Sequence, residues 1–253
     1  MSDMVLVVLA GGAGKRMGPA HQNIPKHLLE VDGRPLFLRS LENFIQQFGV
    51  QRVIYRIAYR AEIFAGLWAD GQFRLSVPTA VLVGELNDGP IGALASCLEF
   101  IRTNTFVFVG GDILYDVSSV EPMLCFHSNH GVGFTVGVAS GNPTKRPSTL
   151  WIGSDRELER FERPDVTQPE DLINASLYLV EPEKVGWLLE DFHRHRHGPD
   201  SEKEYKEDHL WRLVLRRPDR ARLFRLPGRV VNVNTPEDLT IARSLAASRV
   251  KQL

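Results

Sequence analysis

The chain has little cysteine, almost no net charge and no long apolar run. Its two cysteines among 253 residues are Cys97 and Cys125. They form neither a disulfide framework nor a zinc-ligand pattern, so two reduced, half-buried thiols are expected, as in a cytoplasmic protein. Thirty lysines and arginines nearly balance 31 aspartates and glutamates, a net charge of −1. Such a balance gives no general attraction to nucleic acid or to a membrane surface. No stretch approaches the ~20 apolar residues that span a bilayer. The first apolar run is too short for a signal-peptide core and has no basic flank. No catalytic histidine or serine triad stands out. What remains is an ordinary globular composition, 43% apolar and 24% charged, long enough for one large α/β domain or two small ones.

The most informative stretch is the first thirty residues. Val5-Leu6-Val7-Val8-Leu9 reads as a buried central strand. It runs into Ala10-Gly11-Gly12-Ala13-Gly14-Lys15-Arg16-Met17. Glycines at the end of a strand let backbone N–H groups approach an anion. Arg16 can grip phosphate oxygens in pairs, and Lys15 adds local charge. Pro25 then sets the backbone before Lys26. Two familiar phosphate loops do not fit. The dinucleotide spacing is missed by one residue at Gly18, and Lys15 is followed by Arg16 rather than the serine or threonine of a P-loop. Taken alone, the loop is equally well an ordinary glycine turn.

Three linked blocks change this: Leu9-Ala-Gly-Gly-Ala-Gly-Lys-Arg-Met17, Pro25-Lys-His-Leu-Leu29 and Val31-Asp-Gly-Arg-Pro-Leu36. Together they resemble the signature of the sugar-1-phosphate nucleotidylyltransferases and their molybdopterin-guanylating and cytidylyl-transferring relatives. The resemblance implies a glycosyltransferase-A-like, Rossmann-like α/β three-layer sandwich. It implies a nucleoside triphosphate and a sugar 1-phosphate as partners, and Mg²⁺, with Mn²⁺ as an alternative, as cofactor.

The rest of the chain fits a mainly parallel mixed sheet. Helices are expected at 34–48, 61–68 and 91–101, with Gly49 stopping the first and Pro90 opening the third. Buried strands are expected at 52–58, 79–83 and 105–109. Their carboxyl ends, where such sheets bind ligands, carry the glycine loop, residues 85–92 and Gly110-Gly111-Asp112. The second half reads as strands at 131–139, 149–152, 158–161 and 173–180, helices at 182–195 and 205–215, short strands at 221–226 and 230–233, and a last helix at 235–247. No repeat or linker divides the chain. One domain is expected over 1–253, with 1–112 as the nucleotide half and 113–253 as the sugar-phosphate half. A homo-oligomer is left open.

The candidate site residues follow from these blocks. Asp112 ends a buried strand, where its carboxylate either points into the crevice or caps the next turn. The resemblance makes it a metal ligand and, with Arg16 and Lys26, part of the catalytic set. Asn232, in Val230-Val-Asn-Val-Asn-Thr-Pro-Glu-Asp-Leu239, matches the family's second ligand; asparagine instead of aspartate implies weaker metal binding. Asn234 and Asp238 read as helix caps, and Asp116 as a turn residue. Glu85, Gly89 and Pro90 resemble the family's base-binding turn, with Gly-Pro where sugar-phosphate members have Gly-Thr. Leu9 to Lys15 complete the nucleotide set. Leu158-Glu-Arg-Phe-Glu-Arg-Pro164 and Ile173-Asn-Ala-Ser-Leu-Tyr-Leu179 resemble the acceptor blocks. Glu162 and Asn174 are then expected on sugar hydroxyls and Arg163 on the sugar phosphate, with Ser176 crowding that wall. His193, His195 and His197 and the seven arginines from Arg212 to Arg229 read as solvated surface. Two competing readings are another transferase of the same fold and a non-catalytic nucleotide or sugar-phosphate binder.

Overall fold

The computed structural model describes residues 4–18, 24–115, 120–141, 148–163, 165 and 171–250. Asp116, expected in a turn, lies outside them. In chain order the first part comprises β1 (Met4–Ala10), β2 (Glu30–Val31), β3 (Arg34–Pro35), α1 (Leu36–Phe48), β4 (Val50–Ile57), α2 (Ala61–Ala69), β5 (Thr79–Val83), α3 (Gly89–Cys97) and β6 (Phe106–Gly110). Then come β7 (Ile113–Leu114), α4 (Val120–His130), β8 (Phe134–Gly141), β9 (Thr149–Ile152), β10 (Leu158–Glu162), β11 (Leu172–Val180), α5 (Gly186–Arg196), α6 (Glu207–Arg216), β12 (Arg222–Asn232) and α7 (Pro236–Val250).

Ten strands form one mixed sheet, ordered β5-β4-β1-β6-β11-β8-β12-β7, with β9 and β10 off this path. The β5 to β6 side is parallel, whereas β11 runs antiparallel to both β6 and β8. Side chains of β1 alternate between the two faces. Leu6 and Val8 join one buried cluster with Phe37, Leu41, Phe44 and Phe64. Val5 and Val7 join another with Ile91, Leu94, Phe192 and Trp211. A buried residue such as Leu6 is therefore worth about 2–5 kcal/mol against alanine. The strand register places Leu9 beside Gly110 and Ala10 beside Ile57, so the parallel strands end level and leave a crevice above them.

Several expectations shift. α3 ends at Cys97, short of 101, and β8 begins at Phe134 rather than 131. Residues 79–83 are a strand but not a buried one, because β5 is the sheet's edge; Val83 is 62% exposed. The two runs at 221–226 and 230–233 are one strand, β12, with a register shift between Arg225 and Arg229. α4, which contains Pro122 and mixed polar residues, carried too weak a periodicity to be read. Cys97 is buried and Cys125 exposed, so neither thiol is half-buried. Burial pushes the Cys97 thiol up to about 12. Among the described residues, no helix is long and apolar enough to cross a membrane.

Candidate active site

A cleft of about 570 Å³ opens at the carboxyl ends of β1, β4 and β6. Leu9, Ala10, Gly11, Gly12, Ala13, Gly14, Lys15 and Arg16 all line it. Gly14 takes φ +61, and a side chain there would meet Lys26 Cβ at 3.2 Å. Glycine is thus required both by the left-handed backbone and by the loop's seat on Lys26. Met17 N donates to Gly14 O at 2.9 Å, and Met17 buries its side chain beside Leu29, Val231 and Leu239. That anchor leaves Lys15 and Arg16 at the cleft.

Asp112 is held by its backbone. Gly111 N donates to Leu9 O at 2.8 Å, and Val233 N donates to Asp112 O at 2.9 Å. A side chain on Gly111 would strike Leu9 O at 2.8 Å. The Gly-Gly-Asp turn is therefore clamped between the ends of β1 and β12, and the Asp112 carboxylate forms an ion pair with Lys26. Lys26 is only 8% exposed. Removing Asp112 would leave the buried Lys26 cation without its counter-charge, whereas Asp112 itself is partly exposed.

A neutral amide joins these groups. Asn234 Oδ1 accepts from Arg16 Nη2 at 2.8 Å and from Lys26 Nζ at 2.9 Å, while Asn234 Nδ2 donates to Asn232 Oδ1 at 2.7 Å. The cap expected of Asn234 is made by its neighbours. Asp238 Oδ2 accepts from the backbone N of Asn234 and Thr235, and Asp238 N donates to Thr235 Oγ1, a capping box that starts α7. An Asn-Thr-Pro string fits capping, and nothing local in the sequence links Asn234 to Arg16. Beneath Lys26, His27 packs against Phe37 and Phe64 with Nε2 buried and unpartnered. Burial lowers its pKa to about 3 and keeps it neutral.

The donor set suits magnesium. Asp112 offers a carboxylate and Asn232 an amide oxygen, and they adjoin through the β7–β12 pairing, in which Asn232 faces Ile113. Mg²⁺ takes one or two hard protein oxygens and completes its shell with phosphates and water. Among the described residues, no group of three or more His, Cys, Asp or Glu could hold a metal.

Glu85, Gly89 and Pro90 line the same cleft. Gly89 has φ +63, and a side chain there would meet Tyr205 O at 2.6 Å. Tyr205 N donates to Asn87 O at 3.2 Å, which straps the 204–205 segment onto the turn. Under the turn, the buried Arg56 forms an ion pair with Asp88, and Asp88 Oδ2 accepts from Glu85 N at 3.2 Å. The Arg56 guanidinium occupies the space above Gly84, where a Cβ would lie 1.5 Å from it. Glu85 accepts from Arg196 Nη2 at 2.8 Å. Arg56 and Asp88 are not evident from sequence; their pairing spans 32 positions.

The far wall differs from the expected one. Glu162 is exposed, lies 3.5 Å from Arg160 Nε and does not line the cleft. Arg163 Nε donates to Asp208 Oδ1 at 2.7 Å, and its Nη2 lies 3.6 Å from Glu207 Oε2. Asn174 is buried behind the wall. Its Nδ2 donates to Tyr178 Oη at 2.6 Å and to Glu207 Oε1 at 2.9 Å, and its Oδ1 accepts from Ser176 N at 3.0 Å. Ser176 and Glu207 are the residues of this network that line the cleft. Ser176 takes φ +46, the left-handed backbone that the glycine of the matching block would adopt without strain. Burial raises the Glu207 pKa, countered by Ser148, Arg163 and Asn174. Glu207 escapes sequence reading because an acid in a helix's first turn is ordinary.

Fold and cleft together define a class, an open α/β sandwich whose glycine loop, cations and carboxylate meet at one crevice. The family profile described as Nucleotidyl transferase matches residues 5–212, and the chain belongs to that family. Mannose-1-phosphate guanylyltransferase catalytic subunit beta of Danio rerio is 28% identical over 183 residues, 71% of this chain and 50% of that protein. Mannose-1-phosphate guanylyltransferase of Mycobacterium tuberculosis is 29% identical over 176 residues, 69% and 48% of the two chains. The chain spans about half the length of the curated relatives it matches. Among solved structures, HddC from Yersinia pseudotuberculosis superposes with a TM-score of 0.72 at 20% identity, covering 96% of this chain and 99% of that one. The inositol-1-phosphate CTP transferase from T. maritima gives 0.74 at 14% identity, covering 96% and 94%. These structural likenesses establish the fold.

Proposed function

We propose that the protein transfers a nucleoside monophosphate from a nucleoside triphosphate to a sugar 1-phosphate, or to a similar cyclitol phosphate, releasing pyrophosphate. The observation that carries this reading is the convergence of Arg16, Lys26, Asp112 and Asn232 on one end of a cleft. The base-type turn at Gly89 and the polar wall at Glu207 complete it. The curated relatives named above make a guanine nucleotide the first donor to try.

A phosphate monoester has a second pKa of about 6 and is an anion near neutrality. It attacks phosphorus without a general base, so catalysis reduces to positioning and charge neutralisation. Arg16 and the amides of Gly11 to Gly14 hold the outer phosphates. Lys26 leaves Asp112 for an α-phosphate oxygen as negative charge grows there. Arg163 does not line the cleft, so it would have to leave Asp208 and Glu207 to meet the incoming phosphate. Asp112 and Asn232 would hold Mg²⁺, which when bound supplies charge neutralisation among the phosphates.

A pyrophosphate-release grid of five nucleoside triphosphates against a panel of sugar and cyclitol 1-phosphates, with Mg²⁺, tests the reading. Release is expected in a few cells of the grid. Background release in every cell would count against it.

A further inference from the structure

Building on that transferase reading, we infer that Glu207 is the residue that reads the acceptor's hydroxyl groups, and that it selects a neutral polyhydroxyl ring over one bearing a carboxylate. The wall facing the cleft has several polar side chains, but most are committed to one another. Both Nδ2 hydrogens of Asn174 are used, one on Tyr178 Oη and one on Glu207 Oε1, and its Oδ1 takes Ser176 N. A buried amide in this state holds a neighbour in place and has no hydrogen left to offer a ligand.

Glu207 is that neighbour. Its Oε2 accepts from Ser148 Oγ at 2.8 Å and lies 3.6 Å from Arg163 Nη2, while its Oε1 takes Asn174. These groups come from three separate segments: Ser148 ahead of β9, Arg163 after β10 and Asn174 on β11. All meet at the first residue of α6. An ionised carboxylate has about four acceptor positions; the two short hydrogen bonds take one on each oxygen, and Glu207 lines the cleft. An acceptor-only group binds O–H donors and repels anions. Asp208 beside it, and Glu204 on the cleft rim, carry the same sign. Arg163 faces two of these acids, Glu207 and Asp208.

The test is steady-state kinetics of pyrophosphate release with a hexose 1-phosphate and with the matching hexuronic acid 1-phosphate. Wild-type protein should show at least about tenfold higher kcat/KM for the neutral acceptor. Glu207→Gln should raise the KM for the hexose 1-phosphate by about tenfold or more. It should leave kcat and the KM for the nucleotide within about twofold, and it should narrow the preference between the two acceptors. Glu207→Asp, which keeps the charge, should restore part of that preference. Equal use of both acceptors by active wild-type protein would overturn the inference without needing any variant. So would an unchanged acceptor KM in Glu207→Gln. No release by wild type with any acceptor would instead sink the transferase reading, and this inference with it.

Discussion

The two ends of the cleft are built on opposite electrostatic plans. At the loop end, Lys15, Arg16 and Lys26 line the cleft with one carboxylate, Asp112, which pairs with Lys26, and Arg16 and Lys26 share a neutral amide oxygen on Asn234. At the wall end, one arginine, Arg163, faces two carboxylates, Glu207 and Asp208. The first plan leaves net positive charge where a triphosphate would lie. The second would present hydrogen-bond acceptors to a hydroxylated partner. Three cations outweigh one carboxylate at the first end, whereas two carboxylates outweigh one cation at the second.

The strongest way to break this contrast is at Lys26. Lys26→Ala removes the buried cation and strands Asp112. It is expected to lower kcat/KM for nucleotide transfer by about 10²–10³-fold, and near-normal turnover would refute its role. His27 tests the apolar seat under the same end. Its folded-state pKa, about 3 against an ordinary 6.5, means that the unfolded chain takes up the proton first as pH falls. The stability contributed by neutral His27 is complete above about pH 6.5. It drains by about 1.4 kcal/mol per pH unit until about pH 3. Urea unfolding at pH 7 and pH 5 should therefore show a shallower acid dependence for His27→Leu than for wild type. Parallel slopes would contradict a neutral buried imidazole.

Asn234→Ala should cost less, about tenfold in kcat/KM, because both cations stay but lose their shared anchor. The start of α7 should be unaffected, since Thr235 and Asp238 form its capping box. A large fall in melting temperature with unchanged kinetics would make Asn234 a structural residue only. The smallest effect is expected at the wall. Ser176→Gly relieves a left-handed residue while loosening the unfolded chain, a net gain of about 0.5 kcal/mol. Destabilisation would show that the serine side chain contributes more than its backbone strain removes.

The contrast also separates what was legible in the sequence from what was not. The loop end lies in contiguous blocks, and glycine, proline and lysine there announce their backbone roles, so Gly14, Lys26 and Asp112 could be read in order. Continuous apolar strands alternating with helices likewise make the parallel half of the sheet legible. The wall end joins Ser148, Arg163, Asn174 and Glu207 across 59 positions, and no local pattern records such a meeting. Glu162 matched a block yet stands at the surface at the end of β10, beside Arg160 and outside the cleft. Asn234 was hidden by a better local explanation, and Arg56 with Asp88 by distance along the chain.

The central claim, that the positive end holds a nucleotide whose phosphate passes to a partner at the wall, is tested most directly by phosphorus NMR. The protein would be incubated with GTP, a hexose 1-phosphate and Mg²⁺. The account predicts loss of the triphosphate and monoester signals and matched growth of pyrophosphate and of one sugar-linked diphosphate. An unchanged spectrum across the nucleotide panel, or growth of orthophosphate alone, would contradict it.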